Sequence, residues 1–219
     1  WVSIDEEGGR VNRLKTKYGF PKTMTAQYLG EVNSEDSTLY YAGQTAAALY
    51  RLGINMNFAP SVDVNVNPQN PVIGSLGRSF SENDTLVARH ASWFIDAHEL
   101  MGIATVVKHF PGHGSSMSDS HLGLTDISDT WRLQELFPYQ ALLDSGKVRA
   151  VMTAHIVNEK LDETKTPATL SSQILQGLLR GIMDYDGVVV SDDMQMKAIS
   201  AQYGLEEAIK MAVNAGVDI

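Results

Sequence analysis

The chain has 219 residues, of which 43% are hydrophobic, 20% charged and 8% aromatic, and this composition predicts one globular domain with a sizeable core. Its 17 Lys and Arg residues against 26 Asp and Glu give a net charge of -9, which argues against binding to nucleic acids or anionic membranes. The chain has no cysteine, which excludes disulfides, thiolate metal sites and cysteine nucleophiles, and no apolar run approaches the roughly 20 residues of a membrane span.

One pattern recurs along the chain: an amphipathic helical stretch, a glycine, a short apolar strand and then a polar cluster. After a first predicted strand at residues 1–4, the pattern occurs in five segments: 46–63, 95–114, 141–156, 178–194 and 211–219. The strands are continuous apolar runs such as "ATVV" and "VVV", which are typical of parallel strands buried on both faces. The repeat therefore predicts six parallel strands in an α/β fold.

Polar residues follow almost every predicted strand at its carboxyl end. These residues are Asp5 and Glu7, Asp63, Lys108 and His109, His155, and Asp192 and Asp193. A (β/α)8 barrel gathers the carboxyl ends of all its strands at one mouth, whereas a doubly wound sheet concentrates its site at one switch point. We therefore expect residues 1–219 to form a single (β/α)8 TIM barrel domain. Because the chain starts in a strand and ends in "AGVDI", where another begins, we expect the first and last barrel strands to be missing or partial.

The stretch "KHFPGHGSSMSDSH", residues 108–121, holds three of the six histidines. A metal site would require the loop to fold back and bring together four side chains: His109, His113, Asp119 and His121. The proline and glycine between the first two histidines exclude the regular helix of a zinc-binding pair. Alternatively, the carboxylate of Asp119 accepts a hydrogen bond from the imidazole of His121 and makes it a proton-transfer group. A solvated loop histidine beside an aspartate has the same spacing.

Asp192 follows the valine strand in "GVVVSDDM", where a barrel strand presents side chains to the mouth. A carboxylate in this position can attack a carbon centre as a nucleophile. Ser191, Asp192 and Asp193 are also residue types that commonly begin a helix. We therefore expect one aspartate to cap the next helix and the other to act in the site.

The first loop, "IDEEGGRVNRL", brings Asp5 and Arg13 close to two glycines, and the chain has no nucleotide-binding glycine motif. These charged side chains suit a site that hydrogen-bonds the hydroxyl groups of a sugar, although an exposed turn with surface ion pairs has a similar composition. Arg78 lies on an irregular stretch, residues 60–83, and loops of this length are usually functional. Lys108 ends a buried strand, where a lysine needs a partner.

Six motifs in chain order resemble glycoside hydrolase family 3, specifically its bacterial β-N-acetylglucosaminidase branch. They are "IDEEGGRVNRL", "NMNFAPSVDV", "LGRSF", "VVKHFPGHGSSMSDSH", "VMTAHI" and "GVVVSDDM", and they span essentially the whole chain. The resemblance implies that residues 1–219 are the N-terminal-type catalytic barrel domain of this family. It also implies a retaining exo-β-N-acetylglucosaminidase that uses no cofactor and no metal ion.

In this resemblance, Asp192 matches the nucleophile that forms a covalent glycosyl-enzyme, His121 matches the acid/base and Asp119 matches its partner. Five further residues match those that hold the terminal sugar: Asp5, Arg13, Arg78, Lys108 and His109. The implied substrates are N-acetylglucosaminides from cell-wall muropeptides or from chitin, with water or phosphate as the acceptor. Where many relatives have an aspartate after "PGHG", this chain has Ser115 and Ser116, which leaves the natural substrate open.

Two other functions are compatible with the residues. A metal-dependent barrel hydrolase would use the histidine cluster, and a non-catalytic carbohydrate-binding fragment would need no nucleophile. In the leading interpretation the partner is a carbohydrate, and neither nucleic acid nor a membrane span is involved.

Overall fold

The computed structural model describes residues 1–219 as an α/β fold with seven short strands. In chain order these are β1 (Ser3–Ile4), β2 (Met56–Asn57), β3 (Ala104–Phe110), β4 (Thr125–Asp126), β5 (Ala150–Thr153), β6 (Ile156–Val157) and β7 (Val188–Val190). Five of them form a parallel sheet in the order β1-β2-β3-β5-β7, and β4 and β6 pair in a small sheet of their own. Neighbours in the main sheet follow each other along the chain, which is the strand order of a (β/α)8 barrel.

Helices connect the strands of the main sheet. They are α1 (Ala26–Val32), α2 (Glu35–Arg51), α3 (Asp84–Glu99), α4 (Phe137–Asp144), a π-helical segment (Gln173–Ile182), α5 (Lys197–Ser200) and α6 (Leu205–Ala215). The long helices α2 and α3 begin where Ser34 and Asn83 accept hydrogen bonds from the first helical turn. None of the helices combines the length and the hydropathy that crossing a lipid bilayer requires.

Strands β3, β5 and β7 have buried side chains on both faces, which explains their continuous apolar runs. Val107, Val151 and Val189 face the large core that the sheet shares with the helices. Their neighbours Val106 and Val190 lie in a smaller apolar cluster on the other face. Because successive side chains of a strand point to opposite faces, consecutive apolar residues such as Val189 and Val190 are what a doubly buried strand requires, whereas Val188 at the start of β7 is exposed.

The prediction of a barrel built from parallel strands is confirmed. Five predicted strands form the main sheet, and the sixth is represented by the last two residues beside β7. The backbone N–H groups of Asp218 and Ile219 donate to the carbonyl of Val189 at 2.8 and 3.2 Å. The β4–β6 pair was not predicted, because strands of two residues carry no periodic pattern.

Candidate active site

A cavity of about 370 Å³ opens at the carboxyl ends of the strands, where a barrel has its mouth. Its wall includes eight charged or histidine side chains: Asp5, Arg13, Arg78, Lys108, His109, Asp119, His121 and Asp192. Five apolar residues complete it: Val11, Pro71, Val72, Leu76 and Met152. The eight polar residues are the ones predicted from the sequence, so the fold brings all of them to one cavity.

Three nearly buried charged side chains meet at the cavity: Glu7, Arg78 and Lys108. The guanidinium of Arg78 donates from Nε to Glu7 Oε2 at 2.9 Å and from Nη2 to Oε1 at 2.7 Å. Lys108 Nζ lies 2.6 Å from Glu7 Oε1 and also donates to Asp5 Oδ1 at 2.6 Å. Burial alone would raise the pKa of Glu7, but the charges of Arg78 and Lys108 outweigh it and hold this pKa far below its ordinary value. Glu7 is therefore an anion that balances two cations.

The first loop is held in shape by Glu6, which is fully buried. Its carboxylate accepts the backbone N–H groups of Arg13 at 2.6 Å and Leu14 at 3.1 Å. The amide of Asn57 in β2 exchanges two hydrogen bonds with the backbone of Glu6, each at 3.0 Å. The Arg13 side chain itself is exposed, with Nη2 at 3.8 Å from Asp5 Oδ2. The buried carboxylate of Glu6 therefore fixes the backbone of the first loop, while the exposed side chain of Arg13 lies at the rim of the cavity.

His109 lies between a guanidinium and a carboxylate. Arg78 Nη2 donates to Nε2 of His109 at 3.1 Å, so Nδ1 carries the proton and donates to Asp63 Oδ2 at 2.6 Å. Asp63 is fully buried, and its Oδ1 also accepts the backbone N–H groups of His109 and His113. Burial would raise the pKa of Asp63, but the imidazole of His109 and these hydrogen bonds lower it. Asp63 thereby fixes the ring of His109 and the start of the following loop.

Asp119 and His121 form the predicted dyad on the exposed side of the cavity. Asp119 Oδ1 accepts the Nδ1–H of His121 at 2.8 Å and its backbone N–H at 2.8 Å. The side chain of His121 is 60% exposed. A carboxylate thus orients the imidazole and leaves Nε2 available to exchange a proton with a bound ligand.

Asp192 follows β7 and lines the same cavity. Its Oδ1 accepts the backbone N–H of Asp193 at 2.8 Å. Burial would raise the pKa of the Asp192 carboxyl, but the imidazoles of His109 and His155, this hydrogen bond and Lys108 keep it below its ordinary value. Asp192 is therefore in the ionised form that a nucleophile requires.

The expectation that one of the two aspartates caps the next helix is wrong. Helix α5 begins after Met196, which makes no capping hydrogen bond. Asp193 instead forms a turn in which its Oδ1 accepts the N–H of Gln195 at 2.9 Å. The Nε2–H of His155 donates to the carbonyl of Asp193 at 2.9 Å. The loop behind Asp192 is thus held by the end of a neighbouring strand.

The metal-site hypothesis is wrong for the four side chains on which it rested: His109, His113, Asp119 and His121. The structure arranges no three His, Asp or Glu side chains so that they could hold a metal ion. Both ring nitrogens of His113 contact serine hydroxyls, Ser116 Oγ at 2.7 Å and Ser120 Oγ at 3.1 Å. The ring nitrogens of His109 are likewise hydrogen-bonded to protein groups. These two histidines belong to hydrogen-bond networks.

Glu7 and Asp63 organise the cavity without lining it. The sequence placed both after the carboxyl ends of predicted strands but assigned neither a specific role in the site. Each holds side chains that do reach the cavity. Both follow the carboxyl end of a strand, β1 or β2, and that position is the signal that could have identified them.

Comparison with known proteins agrees with this geometry. The family described as Glycosyl hydrolase family 3 N terminal domain matches residues 1–219. Beta-hexosaminidase A of Pseudoalteromonas piscicida is 39% identical over 236 residues, which cover all of this chain and 39% of that protein. Beta-hexosaminidase LpqI of Mycobacterium tuberculosis is 36% identical over 226 residues, which cover all of this chain and 57% of that protein.

Solved structures are similar over the same length. A glycoside hydrolase family 3 β-N-acetylglucosaminidase from a Paenibacillus species superposes with a TM-score of 0.93 at 43% identity, over 99% of this chain and 41% of that chain. The β-N-acetylhexosaminidase of Beutenbergia cavernae superposes with a TM-score of 0.89 at 33% identity, over 100% of this chain and 65% of that chain. The chain therefore spans less than two thirds of the length of each of these proteins.

Proposed function

Because the chain belongs to glycosyl hydrolase family 3, we propose that residues 1–219 form a single catalytic domain of a retaining exo-β-N-acetylglucosaminidase. The domain removes terminal β-linked N-acetylglucosamine from saccharides through a covalent glycosyl-enzyme. The names of the relatives, β-hexosaminidase and β-N-acetylglucosaminidase, support this substrate class.

One observation carries the proposal: an ionised carboxylate and a carboxylate-held imidazole line the same cavity. Retaining hydrolysis needs a nucleophile at the anomeric carbon and a proton donor at the leaving oxygen. Asp192 suits the first role, and His121 with Asp119 suits the second. Imidazoles change protonation near neutral pH, so a histidine in this role replaces the buried carboxylic acid of most retaining glycosidases.

Two proton transfers through His121 complete the reaction. In the first step an oxygen of Asp192 bonds to the anomeric carbon, the glycosidic bond breaks, and the leaving oxygen takes the proton from Nε2 of His121. In the second step the neutral imidazole takes a proton from water at Nε2, the water oxygen bonds to the anomeric carbon, and the ester bond to Asp192 breaks. Asp119 stays bonded to Nδ1 and stabilises the imidazolium. The sugar leaves with its configuration retained.

The other polar residues of the cavity suit the hydroxyl groups of the terminal sugar. We assign five residues to this role: Asp5, Arg13, Arg78, Lys108 and His109. Arg78 and Lys108 are already paired with Glu7, so they donate to sugar hydroxyls without leaving a buried charge unbalanced.

Two classes of natural substrate suit this assignment: fragments of cell-wall muropeptides and chitin-derived oligosaccharides. Both present the same terminal sugar and differ in the group that leaves. Water is the proposed acceptor. Phosphate is the alternative acceptor, because an imidazole does not repel an incoming anion as a carboxylate would.

Hydrolysis of p-nitrophenyl N-acetyl-β-glucosaminide in the presence of EDTA tests the proposal. The chain should turn over, Asp192→Ala should lose on the order of a thousandfold or more in kcat/KM, and the first product seen by NMR should be the β-anomer. The control is Asp129→Ala, which removes an exposed carboxylate outside the cavity. An unchanged rate in Asp192→Ala, or an α-anomer as first product, overturns the assignment of the nucleophile.

The same preparation separates the competing functions. Calorimetric binding of N-acetylglucosamine without any turnover would favour the non-catalytic carbohydrate-binding fragment. Turnover that EDTA abolishes would overturn the proposal, because neither step of the retaining mechanism uses a metal ion. Replacing water by phosphate as acceptor would yield a sugar 1-phosphate, which the NMR experiment also detects.

A further inference from the structure

His113 is a buried histidine that the catalytic steps described above do not use. Its side chain lies beneath the loop that carries the dyad, and only 3% of the residue is exposed. Nδ1 lies 2.7 Å from Ser116 Oγ, and Nε2 lies 3.1 Å from Ser120 Oγ. The two serines are also buried, and Asp119 lies between them in the chain. One ring therefore contacts both ends of segment 116–120, which contains Asp119 and is followed directly by His121.

A neutral ring satisfies both contacts. Burial, followed by the nearby His109, lowers the pKa of His113 to about 4, so the ring is uncharged at neutral pH. A neutral imidazole has one N–H donor and one acceptor nitrogen, and a serine hydroxyl can either donate or accept. The bridge between Ser116 and Ser120 therefore leaves neither ring nitrogen unpaired, as a buried polar group requires.

Backbone hydrogen bonds hold both His113 and Ser120 in place. The backbone N–H of His113 donates to Asp63 Oδ1 at 2.7 Å, and the same carboxylate holds the ring of His109. The carbonyl of Ser120 accepts the backbone N–H of Ala198 in α5 at 3.3 Å. Ser120 thus connects the dyad loop to the segment that follows the proposed nucleophile.

We propose that His113 is a positioning residue that holds the loop carrying Asp119 and His121 at the cavity through its bonds to Ser116 and Ser120. The inference rests on the proposed function, because it requires His121 to be the general acid. It separates two roles within "PGHGSSMSDSH": an exposed histidine that transfers the proton, and a buried one that sets where the transfer occurs.

The dependence of kcat/KM on the leaving group tests this role. 2,4-Dinitrophenolate is such a weak base that it leaves without a proton. The sugar alkoxide that leaves from N,N′-diacetylchitobiose is a strong base and needs one. In His113→Leu, kcat/KM for diacetylchitobiose should fall by roughly tenfold or more, and kcat/KM for the dinitrophenyl glycoside should change by less than about threefold. Ser120→Ala, which removes less volume, should shift the same ratio in the same direction and covers the case in which His113→Leu does not fold.

A matched control distinguishes positioning from general stability. His90 is a fully buried histidine in α3, and its Nδ1 contacts Thr38 Oγ1 at 2.9 Å, away from the cavity. His90→Leu should lower the thermal stability about as much as His113→Leu does. It should leave the ratio of kcat/KM for diacetylchitobiose to kcat/KM for the dinitrophenyl glycoside at its wild-type value.

His121→Ala, measured alongside, separates the possible failures. If His121→Ala discriminates between the two substrates while His113→Leu and Ser120→Ala slow both equally or not at all, the positioning role is wrong and the proposed function stands. If His121→Ala does not discriminate either, His121 is not the general acid, and both the proposed function and the positioning role are overturned.

Discussion

Glu7 and Arg78 form a two-point ion pair between the first loop and the long loop that follows β2. The contacts measure 2.9 and 2.7 Å, and the two side chains are only 8% and 11% exposed. Lys108 Nζ reaches the same carboxylate at 2.6 Å. One anion therefore balances two cations at the cavity. Lys108 has one other close acidic partner, Asp5, and Arg78 has none.

Glu7→Gln should destabilise the chain, because it leaves two nearly buried cations side by side. Breaking a buried ion pair by removing one partner costs about 3–5 kcal/mol, and urea unfolding measures this loss. The control is Glu99→Gln, which removes an exposed partner of Arg149 and should cost at most about 1 kcal/mol. Equal stabilities of the two variants would mean that Glu7 does not balance Arg78 and Lys108.

The sequence could predict that the site residues lie together, because parallel strands place their carboxyl ends at one edge of the sheet. It could not predict the different roles of the three acidic residues in the first loop. Asp5, Glu6 and Glu7 are consecutive carboxylates, yet Asp5 lines the cavity, Glu6 is buried beneath the loop and Glu7 pairs with cations. These differences depend on a turn whose backbone path is set by tertiary contacts such as the pairing of Asn57 with Glu6.

The histidines show the same limit. Their spacing in the chain allowed either a metal cluster or a proton-transfer dyad, because spacing does not show which way each ring points. The structure turns His109 toward Asp63 and His113 toward two serines, and only His121 keeps a ring nitrogen at the exposed side of the cavity. A partner distant in sequence, Asp63, fixes the ring of His109. The rings of His113 and His121 are fixed by partners within seven residues, so the path of the loop itself decides where they point.

Gly114→Ala should destabilise the dyad loop, because a Cβ at this position would lie 1.7 Å from the carbonyl oxygen of Val64. The obstacle is backbone, which cannot rotate away as a side chain can, so we expect a loss of about 3 kcal/mol or more in the free energy of unfolding. Gly123→Ala is the matched control in the same loop, since a Cβ there meets no atom within 4 Å. Similar unfolding curves for the two variants would contradict the close approach to Val64.

Glu135 should make the stability of the chain depend on pH near neutrality. It is fully buried, and its Oε2 accepts the backbone N–H groups of Gly114 at 2.9 Å and Ser115 at 3.2 Å. Burial raises its pKa from 4.5 to about 7, and the charge of Asp63 acts in the same direction. The folded chain then binds more protons than the unfolded chain between these two pH values, so the free energy of unfolding falls as pH rises through the interval.

Glu135→Gln removes this titration. The free energy of unfolding of the variant minus that of wild type should therefore rise by about 3 kcal/mol between pH 4.5 and pH 7.5, whatever its starting value. Urea unfolding of both proteins at a series of pH values measures the difference. A difference that stays constant over this range would show that Glu135 titrates at the same pH in the folded and unfolded chains.

Asp119→Asn should impair proton transfer while preserving the shape of the dyad. The amide oxygen of asparagine still accepts the backbone N–H and the Nδ1–H of His121, but it carries no charge to stabilise the imidazolium. We expect kcat/KM for N,N′-diacetylchitobiose to fall roughly a hundredfold, the lower end of what general acid–base catalysis contributes, while the dinitrophenyl glycoside is affected less. Asp129→Asn, at an exposed position outside the cavity, should retain the wild-type rate with both substrates. If Asp119→Asn also retained the wild-type rate with diacetylchitobiose, the carboxylate would only orient the ring, and the hydrogen bond rather than the charge would be what His121 needs from its partner.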